Sequence, residues 1–102
     1  MDPELLARFE RLAAAGVTLL PTVAIPNHFV FTRDGMAVLV ERRGDGFGGI
    51  GSPGRITERG FEPLIDATGD AHFVFKGEES PATAAEVQAA RSLLADLKSA
   101  LA

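Results

Sequence analysis

The sequence contains no cysteine, so disulfide bonds, thiol nucleophiles and thiolate metal sites are excluded. Basic residues are also in the minority, because ten Lys and Arg stand against fourteen Asp and Glu and give a formal net charge of −4. A chain with this balance has no overall electrostatic attraction to nucleic acid or anionic lipid. We therefore expect no nucleic-acid partner.

Long hydrophobic runs are missing as well. The most apolar window, residues 17–25, is interrupted by Pro21 and followed by Pro26, and it is far shorter than the roughly 20 apolar residues that span a bilayer. Residues 1–4 lack the basic and apolar regions of a secretory signal. These features predict a soluble, cytoplasmic protein that does not bind membranes.

The length and composition are those of one globular domain. The chain has 102 residues, of which 46% are hydrophobic and 24% charged, so we predict a single domain over residues 1–102. A domain of this size still exposes a large share of its surface. An oligomer that buries one more face is therefore compatible with the composition.

A helix is predicted at each end of the chain. Asp2 can cap the first helix, Pro3 suits its first position and Gly16 can end it, which predicts a helix over residues 3–15. Near the other end, Thr83 and Glu86 have the spacing of a capping box. An overlapping start signal lies at Ser80-Pro81, and the following apolar stripe consists of Val87, Ala90, Leu94, Leu97 and Leu101.

Strands are predicted between the helices. Asp34-Gly35 separates two runs rich in Val, Phe and Leu, and this dipeptide favours a tight hairpin. The predicted strands cover residues 28–33, 36–42, 55–57, 61–65 and 71–76, with a short strand near 47–50 and an edge strand or extended connector at 17–25. The predicted fold is therefore α+β, with an antiparallel meander of five or six strands between the helices. A partly closed barrel capped by the last helix is the alternative.

The tetrapeptide His-Phe-Val-Phe occurs twice, at residues 28–31 and 72–75. Because side chains alternate across a sheet, the phenylalanines should face the core and the histidines the opposite side. If the two strands were neighbours, His28 and His72 could share a metal or form an acid–base pair. The simpler interpretation is a reused strand sequence with both imidazoles at strand ends. Two nitrogens do not complete a zinc site, so we predict no cofactor and no metal.

Residues 44–54 contain six of the eleven glycines. Residues 46–51 satisfy the pattern G-x-G-x-x-G, but no helix follows, which excludes a Rossmann dinucleotide site. A second possibility is an anion or small-ligand site built from backbone amides and arginines. Its candidate residues are Arg42, Arg43, Gly46, Gly48, Gly51 and Arg55. Acidic neighbours nearly cancel these arginines, as is typical of a solvated sheet surface.

Catalytic motifs are lacking too, since no nucleophile elbow surrounds any serine. The hairpin strand after Gly35 is apolar on both faces: Met36, Val38 and Val40 share one face, opposite Ala37 and Leu39. The last helix can cover one face of the sheet, although its apolar seam could instead pair two subunits. We expect a non-enzymatic interaction or assembly module that binds itself as a homodimer, or another protein, with Met36, Val38 and Val40 at the interface. The alternative is the small-ligand or anion-binding domain.

Overall fold

The computed structural model describes residues 3–21, 25–44, 46–66 and 70–102, and it is an α+β fold with a helix at each end and seven strands between them. The elements are α1 Pro3–Ala14, β1 Thr18–Leu20, β2 His28–Arg33, β3 Met36–Arg43, β4 Gly46–Thr57, β5 Gly60–Ile65, β6 His72–Phe75, β7 Glu78–Pro81 and α2 Ala84–Leu101. The proposed helix cap Asp2 lies outside the described residues. Within the described ranges, neither helix is both long and apolar enough to cross a membrane.

All seven strands pair antiparallel, and their order in the sheet follows their order in the chain. The predicted α+β meander is confirmed. The predicted number of strands is wrong, because the described residues alone form seven strands and not five or six. The sheet is open with β1 and β7 as its edges, so the described strands do not form the alternative barrel.

Two hairpins turn through pairs of residues with positive φ. Asp34 and Gly35 have φ of 53° and 79°, which confirms the hairpin between β2 and β3. Lys76 and Gly77 have φ of 48° and 83°, and they reverse the chain between β6 and β7. Because this turn creates β7, the helix start proposed at Ser80-Pro81 is wrong. Helix α2 begins at Ala84, after the capping box of Thr83 and Glu86.

The glycine-rich stretch forms most of β4, a strand of twelve residues. The short strand predicted near residues 47–50 is therefore part of one longer strand. Its register against β3 shifts on both sides of Val40, and at each shift two β4 residues lie opposite one β3 residue. Such one-residue bulges bend a strand and need little side-chain volume, which suits glycine.

Both helices pack on the same face of the sheet, and this face holds the main core. Helix α2 lies across β2, β3 and β4, and α1 lies against α2. The buried cluster contains Phe31, Met36, Val38, Val40, Leu64 and Phe73 from the strands and Leu12, Ala90, Leu93, Leu97 and Ala100 from the helices. Cross-strand partners in the sheet share a face, so the register places all six strand residues on this helix-covered side.

The opposite side of the sheet, here called the open face, is also apolar. Its apolar residues are Leu20, Val30, Ala37, Leu39, Ile56, Phe61, Pro63, Ile65 and Val74. None of them belongs to the cluster that packs against the helices. Val30 and Ala37 are nevertheless buried, because each is flanked by cross-strand neighbours on the same face.

Candidate functional site

The three arginines proposed for an anion site do not come together. Arg42 and Arg43 lie at the end of β3, next to the start of β4, whereas Arg55 pairs with Met36 at the other end of β3. Six residues of extended strand separate the two positions, or roughly 20 Å. The guanidinium of Arg42 lies 4.5 Å from the ring centre of Phe29. That of Arg43 donates a 2.8 Å hydrogen bond to Glu41.

The proposed glycines Gly46, Gly48 and Gly51 lie in the bulged strand and not in a free loop. A Cβ added at Gly48 would be 2.6 Å from the Glu41 carboxylate, and one at Gly51 would be 3.0 Å from the Leu39 carbonyl oxygen. Close packing against β3 therefore explains these two glycines without a ligand.

His28 and His72 do not form a pair either. Their strands, β2 and β6, are separated by three intervening strands, or roughly 19 Å of sheet. Each Nδ1 lies within hydrogen-bonding distance of the carbonyl oxygen two residues earlier, at 2.9 Å for His28 and 2.8 Å for His72. In the part of the chain that the structure describes, no three His, Asp or Glu side chains are grouped so that they could hold a metal ion.

The proposed interface residues Met36, Val38 and Val40 are core residues. Their exposed fractions are 4%, 0% and 0%, and they lie beneath the helices. They therefore present no surface to a second subunit. Alternation along β3 separates its two faces correctly, but the sequence does not show that both helices cover the same face. The apolar face left without a helix is the one that carries Ala37 and Leu39.

The structure also contains a buried carboxylate that the sequence reasoning did not identify. Glu62 on β5 is 1% exposed and lies on the helix-covered face. It accepts hydrogen bonds from Arg55 Nε at 2.8 Å, from Thr57 Oγ1 at 2.9 Å and from Arg59 Nη2 at 3.1 Å. The signal in the sequence is alternation, since Arg55 and Thr57 share a strand face. Glutamate is seldom buried, so the pattern suggests an exposed ion pair before the fold is known.

The two arginines extend this network onto aromatic rings and further acids. The Arg55 guanidinium carbon lies 4.1 Å from the ring centre of Phe73, and Nη1 lies 3.8 Å from a Glu86 oxygen. Arg59 stacks on Phe75 and forms an ion pair with Glu78. Because three donors occupy the Glu62 carboxylate, it is not a free base. The arrangement holds the hairpin of β4 and β5 against β6 and α2.

These contacts lower the pKa of Glu62. Burial is the largest single influence and raises the pKa, but the hydrogen bonds from Arg55, Thr57 and Arg59 and the charge of Arg55 together outweigh it. Hydrogen bonds to Glu78 and Glu62 correspondingly raise the pKa of Arg59. Glu62 therefore carries its charge in the folded protein at neutral pH.

Replacing Glu62 with glutamine is expected to reduce stability at neutral pH and to flatten its dependence on acid pH. A carboxyl group whose pKa is lowered by folding stabilises the protein above its ordinary pKa of 4.5, and this contribution disappears as the pH falls through the folded-state value. Urea unfolding from pH 7 to pH 3 measures the effect. The difference between wild type and Glu62→Gln should be largest at pH 7 and should shrink below about pH 4.5. Glu58→Gln, in the exposed turn of the same hairpin, is the control. A constant difference at all pH values would show that the charge of Glu62 does not matter.

The remaining candidate is the open face itself. Large side chains lie on this face in two rows of cross-strand partners. Leu20, Val30 and Leu39 form one row across β1 to β3, and Ile56 and Phe61 form the other on β4 and β5. Small residues, Ala37 and Gly54, lie in register between these rows. Comparisons of the chain with protein-family models, with curated proteins and with solved structures found no match. The geometry of the chain is therefore the basis for its functional interpretation.

Proposed function

We propose that this protein is a non-enzymatic assembly module that acts as a homodimer. The observation that carries the proposal is the open face: seven strands have two helices to cover them, and both helices lie on the same side. Contiguous apolar patches of more than a few hundred square ångströms are uncommon on monomeric proteins. A second subunit removes such a patch from water, and closed twofold pairing is the commonest way to do so.

The anion-binding alternative has weaker support. Its arginines lie at opposite ends of β3, and their guanidinium groups contact Phe29, Glu41 and Glu62. A ligand would have to displace Glu41 or Glu62 to use Arg43 or Arg55. Self-association needs no such rearrangement, because the open face has no helix in front of it.

The mass in solution tests the proposal. Light scattering after size-exclusion chromatography, at micromolar concentration and neutral pH, should give about twice the chain mass of 10.8 kDa. Dilution should move the mass toward that of the monomer, as expected for a reversible dimer. A mass of one chain at every concentration up to the solubility limit would contradict the proposal.

A further inference from the structure

We infer that two copies of this chain associate face to face, with the open face of one sheet packed on the open face of the other. The inference rests on the proposed homodimer and specifies its surface and geometry. Two other routes to a dimer exist, pairing of sheet edges and pairing of helices, and the structure disfavours both.

The sheet edges are poorly suited to pairing. At one edge, β1 has only three residues, and Pro21 follows it directly. At the other edge, β7 consists of Glu78, Glu79, Ser80 and Pro81, so two acids and a residue without an N–H occupy four positions. Short strands, charges and proline at an edge are the features that prevent a further strand from adding.

The helices have little apolar surface left for a partner. The α2 seam faces the sheet, where Ala90, Leu93 and Leu97 are fully buried and Val87 and Leu94 pack against the same cluster. In α1, Leu12 is buried and Phe9 packs on Phe29 and Phe47. Leu6, 48% exposed, is the most exposed large apolar residue of the described helices, and a single leucine does not form an interface.

The charges on the open face permit contact with a second copy. They lie at its margins, where Glu41 is neutralised by Arg43 and Glu79 lies 3.5 Å from the His72 imidazole. The nine residues that define the face carry no charge. Like charges therefore do not meet at the centre when two identical faces are apposed, although each chain has a net charge of −4.

The size and shape of the face also suit a twofold dimer. The seven strands lie about 4.8 Å apart and have a mean length of roughly 20 Å, which gives a flat area of about 600 Å². This area is at the lower end of the range of about 600 to 1,000 Å² per partner for standard interfaces. Val30 and Ala37 are buried within one chain, so the surface offered to a second copy comes from the half-buried Leu20, Leu39, Ile56 and Phe61 and from the exposed Ile65. A twofold axis brings the same residues of both subunits together, as a self-complementary contact requires.

A charge placed on the open face should break the dimer. Leu39→Glu changes a half-buried residue of that face. The dissociation constant of the dimer should rise at least about tenfold, while circular dichroism should show that the variant is still folded. Leu19→Glu is the matched control: Leu19 is 41% exposed on β1, and its register with Phe31 places it on the other side of the sheet. The Leu19→Glu protein should remain dimeric.

A single introduced cysteine provides a second measurement that does not require Leu39→Glu to fold. The chain has no cysteine, so a nitroxide attached to Thr32→Cys, on the open-face side of β2, is the only label in each subunit. The distance between the two labels should be much shorter than for Ala95→Cys, on the exposed surface of α2.

The outcomes separate this inference from the proposed function. Face-to-face packing is supported if the dimer is lost with Leu39→Glu and kept with Leu19→Glu, and if the distance between labels is shorter at position 32 than at position 95. A dimer that survives Leu39→Glu, or one with a longer distance for Thr32 than for Ala95, overturns the geometry and leaves the homodimer intact. A monomeric wild-type chain overturns both.

Discussion

Replacing Gly54 with alanine is expected to lower the free energy of unfolding by about 3 kcal/mol. A Cβ at this position would overlap the Glu62 carbonyl oxygen and would lie 2.8 Å from the Pro63 Cα. Both atoms belong to the backbone of β5, so they cannot move without opening the pairing of β4 with β5. The Phe61 ring, also 2.8 Å away, adds to the overlap. Urea unfolding at a fixed protein concentration measures the loss.

Gly49→Ala is the matched control for this substitution. Gly49 lies in the same strand and is exposed, and no heavy atom lies within 4 Å of the Cβ that alanine would add. The substitution should therefore raise the free energy of unfolding by only about 0.5 kcal/mol, because it mainly reduces the conformational freedom of the unfolded chain. If Gly54→Ala changed stability as little as Gly49→Ala does, the clash at Gly54 would be relieved by a small shift of β5.

Truncating Leu93 to alanine is expected to cost about 3 to 5 kcal/mol. Leu93 is fully buried where α2 packs on the sheet, so alanine leaves a cavity between them. Neither the helix around it nor the sheet below can close this space without losing other contacts. Thermal and urea unfolding at one protein concentration should both report the loss.

The neighbouring Leu94→Ala controls for helix propensity, because the same residue type is changed one position further along α2. Leu94 is only half buried and packs at the border of the cluster. Its truncation should cost less than half as much as that of Leu93. If the two substitutions cost the same, the core would not be centred on the buried side of α2 as the structure places it.

Much of the fold could be predicted from local chemistry. Asp34-Gly35 predicts the hairpin between β2 and β3, because both residues tolerate positive φ. The capping box of Thr83 and Glu86 likewise predicts the start of α2. The turn at Lys76-Gly77 has the same geometry, but lysine is uncommon at positive φ. The sequence therefore does not predict β7, and of the two overlapping helix-start signals the one at Ser80-Pro81 falls within this strand.

The candidate sites were harder to predict, because they depend on which strands and helices become neighbours. Alternation separates Met36 from Ala37 on β3, but only packing decides which of the two faces receives both helices. The two register shifts of β4 are likewise set by pairing with β3. Glu62 is buried because Arg55 and Arg59 reach it across a hairpin, which is a property of the folded sheet.

The contact between α1 and α2 has a consequence for the order of folding. Every strand pairs with its neighbour in the chain, so the hairpins can form one after another with short loop closures. Helix α1 is different, since Arg11 donates a hydrogen bond to the carbonyl oxygen of Ala100, 89 residues away. Closing so long a loop has a high entropic cost, and the Ala100 carbonyl that Arg11 contacts is in place only after α2 has formed. Docking of α1 is therefore expected to be the last folding step, and amide hydrogens of α1 should exchange earlier than those of β3 and α2.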